Sequence, residues 1–210
     1  MRRVAFALAM VACASEDPCA LDVPVASIDE AIALVNALPE SSITCYVSAL
    51  ARPLQVELTS NVFSLQPAPS RRSPRVFLSE GPLVTSIVVA GDASHLMEFG
   101  ELRDDGLSLK AELAFPIDPP VTRSDAFLRT RDIQGTSCGV CHANEIKAAP
   151  GEFASVPLRP NPGSVVPLET LVSEHEGCNP LEDEGRCAML SALFDHGEVT
   201  HHPLPATYPF

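Results

Sequence analysis

The sequence predicts a mainly β protein, an antiparallel sandwich or barrel, with a short N-terminal helix and a small, partly helical C-terminal segment. Three observations carry that expectation. Apolar residues alternate with polar ones along several short stretches, most cleanly in "GLSLKAELAF", where Leu107, Leu109, Ala111, Leu113 and Phe115 share one face. Loop-like breaks, "PAPSRRSPR", "AGDAS" and "RDDG", separate these stretches at short intervals. Finally, 20 prolines in 210 residues disfavour long helices, while 46% apolar residues suffice for a packed core.

The elements follow in order. "SIDEAIALVNALP" reads as a helix: Ser27 is an N-cap, Glu30 completes a capping box, Ile28, Ile32, Val35 and Leu38 recur at helical spacing, and Pro39 ends the run. Strands are expected at "ITCYVSAL" (43–50), at "PLQVELTS" through Leu54, Val56 and Leu58, at "VFSLQ" from Val62, and at "RVFLS" from Arg75. Two more are "LVTSIVVA" (83–90) and "HLMEFGEL" (95–102). Residues 27–117 therefore read as an antiparallel β domain, and "DPPVTRSD" as its boundary. Residues 118–210 form a second segment. It holds a short helix, the stretch "GTSCGVCHANE", a Pro-rich extended connection, two short helices at 167–176 and 181–195, and an extended tail. In the last helix Cys187, Leu190, Leu193 and Phe194 make the buried stripe.

The N-terminus reads as an export leader. Arg2 and Arg3 precede an apolar run, Val4 to Ala12, that is too short to span a bilayer. Ala12-Cys13-Ala14 fits ordinary signal cleavage, while Met10-Val11-Ala12-Cys13 resembles a bacterial lipobox in which Cys13 takes the lipid. Cysteine parity favours the second. Of seven cysteines, lipidation of Cys13 leaves six, which divide by spacing into Cys138 with Cys141, Cys178 with Cys187, and Cys19 with Cys45. The last two pairs are expected as disulfides, in an oxidising compartment. The chain is then a leader (1–13), a tether (14–26) and an exported body, in the periplasm or on the outer surface, held to the membrane by lipid.

A formal charge of −13 excludes a general nucleic-acid binder, which needs a basic face. The acids are scattered, as on a solvated surface; the sharper reading is a face that docks a basic partner. No G-x-S-x-G, H-E-x-x-H or Gly-rich phosphate loop is present, so no enzyme activity is expected.

Cys138-Gly139-Val140-Cys141-His142 carries the chemistry. On one helical turn, residues i, i+3 and i+4 share a face. Two thiols there reach the two vinyl groups of one porphyrin, and the next residue aims an imidazole at the iron. In this pentad the chain resembles c-type cytochromes, and its long strand-rich body with one late motif is similar in layout to the cytochrome c′-beta type. The resemblance implies one covalent haem c per chain, bonded through Cys138 and Cys141 and ligated by His142. It also implies one-electron transfer with a redox partner protein. For the sixth iron position Met189 is the named candidate, with His175, His196, His201 and His202 as others and a vacant site as a further option. Two other readings of the motif stay open. One is a zinc site of Cys138, Cys141, His142 and either Cys178 or His175. The other is a Cys138–Cys141 disulfide. Either would leave a non-redox, disulfide-stabilised surface lipoprotein that binds a partner.

Overall fold

A computed structural model describes residues 17–61, 64, 66–131, 135–142, 144–157 and 161–204. Its first helix, α1 (Ile28–Ala37), begins as expected. The Ser27 hydroxyl accepts the Glu30 N–H, and the Glu30 carboxylate reaches back to the Ala26 N–H. The next segment corrects the sequence reading: Ile43–Ala49 is not a strand but a second helix, α2. Ser42 caps it by accepting the Cys45 N–H at 3.0 Å. All the described side chains from Cys45 to Ala49 are buried, so no polar face marks a period. A continuous apolar run of this length does not distinguish helix from strand.

The five central strands fall where alternation placed them: β1 (Leu54–Thr59), β2 (Arg75–Glu80), β3 (Leu83–Val88), β4 (Leu96–Leu102) and β5 (Ser108–Ala114). The strand expected from Val62 falls largely on residues outside those described. After β5 come α3 (Arg123–Leu128), a hairpin of β6 (Ile146–Ala149) and β7 (Glu152–Ser155), helices α4 (Leu168–Glu176) and α5 (Glu184–Phe194), and β8 (Val199–His201). The hairpin occupies part of the stretch read as an extended connection. Gly151, at φ +86°, makes its turn.

All eight strands join one sheet, in the order β6-β7-β5-β4-β3-β2-β1-β8. Neighbours are antiparallel except β8, which runs parallel to β1. The fold is thus sheet-dominated, as expected. Its second layer, however, is built of helices rather than of another sheet, and strands from both the 27–117 and 118–210 stretches complete it.

One face of the sheet is the core. Leu54, Val56, Leu58, Val76, Leu78, Ile87, Met97, Phe99, Ala111 and Leu113 pack with Ile28 and Val35 of α1, Tyr46 and Val47 of α2, and Leu190 and Leu193 of α5. Each such side chain contributes roughly 1.5–3 kcal/mol on leaving water. Arg52 ties two of the helices together: its guanidinium donates to Ala192 O at 2.7 Å, Leu193 O at 2.9 Å and Val47 O at 3.3 Å.

The opposite face takes the alternate residues, and they are polar at its centre. Cross-strand register sets Phe77, Ser86, Glu98 and Glu112 in one row, and Ser79, Val84, Gly100 and Lys110 in the next. Loops cover this face. Gln66 donates to Leu96 O at 2.8 Å and accepts from the Ser86 hydroxyl at 2.7 Å. Beside it, Ala68 packs on Val88 and Ala93.

Two disulfides close the framework, Cys19–Cys45 and Cys178–Cys187. Both pairings are those the spacing suggested. They tie the N-terminal segment to α2 and α4 to α5, and they belong to an oxidising, extracytoplasmic environment.

Candidate haem-attachment site

Residues 135–142 fold into a single tight turn. Ser137–Val140 is a 3-10 helix, and both the Cys141 N–H (3.1 Å) and the His142 N–H (2.8 Å) donate to Cys138 O. This is the one-turn spacing that the sequence suggested. The turn is anchored at its start, where the Ser137 N–H donates to Thr130 O at 2.7 Å. A carboxylate braces it from the side. Glu145 accepts the Thr136 N–H at 2.9 Å and the Thr136 hydroxyl. Gly135 and Gly139 make room for that carboxylate: a Cβ on Gly135 would lie 2.1 Å from Glu145 Oε1, and one on Gly139 3.3 Å from the same group.

The β6–β7 hairpin brings the chain back to the histidine. His142 Nδ1 lies 3.0 Å from Val156 O. A carbonyl oxygen only accepts, so Nδ1 carries the proton and the Nε2 lone pair is left for another partner. Burial, then the positive charge of Lys110, pulls the ring down to about 4, so it is neutral at physiological pH. A neutral, oriented imidazole with an open nitrogen is what a metal ligand requires.

The two thiols differ. Cys141 is exposed, whereas Cys138 is partly buried against the sheet. Burial and the nearby Glu98 push the Cys138 thiol up to about 11. They are not bonded to each other, although the other four described cysteines are all paired. The disulfide reading of the motif is therefore corrected. A nucleophilic redox pair also needs a depressed thiol, and Cys138 is shifted the other way.

Cys138 and His142 line a small cavity of about 20 Å³ between the turn and the sheet. The sheet contributes Glu98, Phe99, Lys110, Ala111 and Glu112, and Thr130 closes one side. The carboxylates are held: Glu98 pairs with Arg75, and Glu112 pairs with Arg129 at 2.9 Å. Desolvation raises Glu112 and draws Lys110 down to about 7.

The other residues named from sequence lie elsewhere. Met189 is buried in the helix–sheet core and does not line the cavity. Cys178 is consumed by its disulfide, and His175 Nε2 sits 2.9 Å from Asp195, beside the Phe194 ring. Neither joins the motif, and no three metal-binding side chains converge among the described residues. His196 pairs with Asp17 at 3.2 Å, and the edge strand β8 carries His201, with His202 just after it. Cys13 lies outside the described residues. Sequence reasoning missed Glu98, Lys110, Glu145 and Val156. The first two sit on alternating strands, where every second residue reads as solvent-facing.

Comparison with protein-family models, with curated proteins and with solved structures finds no match to this chain.

Proposed function

We propose that this chain is an exported c-type haem protein that carries single electrons. One observation carries the reading. The pentad holds two unpaired thiols, in a chain whose other described cysteines are bridged, beside an imidazole whose Nδ1 is already engaged. The donor set fits haem better than a bare metal ion. A zinc site needs its ligands to converge on one point, and these do not. Haem attachment needs only the imidazole at the iron, with the thiols apart.

In this reading Cys138 and Cys141 would each hold one vinyl group of the haem as a thioether. His142, with Nδ1 engaged by Val156 O, would offer Nε2 to the iron. Val156 fixes the ring orientation, Glu145 holds the turn, and burial keeps the imidazole neutral. When bound, haem supplies one-electron redox chemistry. Cys13 is the lipid-bearing residue, and the acidic surface meets a basic redox partner; the expected tether is shorter than 14–26, because Cys19 is bridged to Cys45, Val23 pairs with Leu50 and Val25 is buried in the core. None of the described helices is long and apolar enough to cross a membrane.

A denaturing gel stained for covalent haem tests the reading, with the full chain expressed alongside haem-attachment machinery. A stained band at the protein's mass, lost in Cys141→Ser and Cys138→Ser, is expected. A colourless protein, made while a control cytochrome is loaded, overturns it. A second reading, a partner- or ligand-binding lipoprotein, then takes over. It is favoured by an open groove of about 520 Å³ between the end of β5 and α3, lined by Leu113, Ile117, Val121 and Leu128 with Asp118, Asp125 and Arg129.

A further inference from the structure

We propose that the open groove between the end of β5 and α3 is a binding site for a small organic cation with an apolar body, of the alkylammonium class. Such a ligand goes beyond the haem reading, which does not use this groove, and the site stands whether or not haem is attached. At about 520 Å³ the groove has the size of a small-molecule site, roughly 300–1,000 Å³. Its apolar lining runs from the core outwards. Leu113 and Val121 are 1% and 5% exposed and belong to the core, Ile117 is half-buried against it, and Leu128 is 52% exposed. A leucine that open beside a concave apolar surface offers area that an apolar ligand removes from water.

The walls are fixed before any ligand arrives. One wall is the segment from Ile117 to Val121, clamped at both ends by side chains that do not line the groove. The Ser41 hydroxyl donates to Ile117 O and accepts the Ile117 N–H at 3.2 Å. Asn36 donates to Val121 O at 2.9 Å and accepts the Val121 N–H at 2.7 Å. Between the clamps, Pro119 and Pro120 have their φ preset. The other wall, α3, is held by Arg123, which reaches Asp29 and Glu152, each at 2.7 Å. A preformed groove spares the ligand the cost of ordering it.

The charge of the lining selects the sign of the ligand. Arg129 is matched by Glu112 at 2.9 Å. Asp125 accepts the Thr122 N–H at 2.8 Å and the Thr122 hydroxyl at 2.6 Å, which holds it below the usual carboxylate range and so ionised. Asp118 is exposed and enters no ion pair among the described residues. Two carboxylates thus share the groove with its apolar lining, and a cationic head on an apolar tail complements both.

The test titrates two probes into the full chain, octyltrimethylammonium below its micelle concentration and octanoate, which has a comparable tail and the opposite charge. Calorimetry reads the affinity and methyl NMR the location. Saturable binding of the cation is expected, with shifts at the methyls of Leu113, Ile117, Val121 and Leu128 and with octanoate weaker by about tenfold. Shortening the tail from octyl to hexyl is expected to weaken binding by about tenfold, since each CH₂ contributes roughly fourfold. Leu128→Ser is expected to lose about tenfold. Asp118→Asn is expected to lose about threefold. Both positions are exposed, so both variants are expected to fold as wild type does. No saturable shift at these methyls, octanoate binding as tightly as the cation, or affinities unchanged in both variants overturns the assignment. So does self-association, read as the same methyls shifting on dilution without ligand. Haem staining of the same sample is scored separately. A stained chain that ignores the cation overturns this site alone, and a colourless chain that binds it overturns the haem reading alone.

Discussion

The two faces of the sheet are made by the same strands and do opposite things. Leu109, Ala111 and Leu113 of β5 point into the helix-covered core; Lys110 and Glu112, one residue away, lie under the turn that carries Cys138 and His142. Likewise Met97 and Phe99 of β4 are core, and Glu98 between them is paired with Arg75. The contrast teaches that period-two alternation separates stability from chemistry at single-residue resolution. The helix side is apolar and continuous. The loop side concentrates buried charge where the thiols and imidazole arrive.

Substitutions on adjacent residues put that contrast at risk. Phe99→Ala removes a fully buried ring from the core face and is expected to cost about 3–5 kcal/mol in denaturant titration. A loss below ~1 kcal/mol would mean the helix-covered face is not the stabilising one. Removing the Cys19–Cys45 bridge by a double serine substitution is expected to cost about 3 kcal/mol, and more than removing Cys178–Cys187. The separations are 26 and 9 residues, and loop entropy grows with length. Cys138→Ser with Cys141→Ser in the haem-free protein is expected to change stability by less than ~1 kcal/mol, because that pair closes no loop.

On the loop-covered face, Arg75→Met leaves the Glu98 carboxylate unmatched beside Glu112 and is expected to cost about 2–3 kcal/mol. A neutral outcome would show that this face is wetter than its burial implies.

A further expected effect is a pH dependence. His142 is held near 4 in the folded chain, below its ordinary value. Between these values the unfolded chain binds the extra proton, so stability rises with pH through that window and levels off above it. In haem-free protein, falling from pH 7 to pH 4 is expected to cost wild type about 1–2 kcal/mol more than His142→Phe, after discounting for partial exposure. Parallel pH profiles in the two proteins would place the ring in water.

Much of the core face was legible, and much of the loop-covered face was not. Alternation located β1 through β5, because each strand buries one apolar face. It failed at Ile43–Ala49, where burial all round removes the period, and at β8, whose three residues pair with Leu54–Val56 across some 145 positions of chain. The tight turn at Cys138–His142 was legible from spacing alone, since its residues are local. Its partners Lys110 and Val156 come from a distant strand and a hairpin end. Nothing in a lysine on an alternating strand says that a loop will close over it. Cysteine spacing carried more: both bridges were readable.

The parallel pairing of β8 with β1 also orders events in time. In a chain that emerges N-terminus first, the β1 edge stays open until residue 201 arrives. Strands β2 to β5 pair locally and need not wait. An exported chain therefore has an interval in which the central strands are formed but the edge is not, and an unpaired strand edge is a site for wrong pairing. A chaperone that shields the β1 edge would act in that interval, and truncation before Val199 would make the interval permanent.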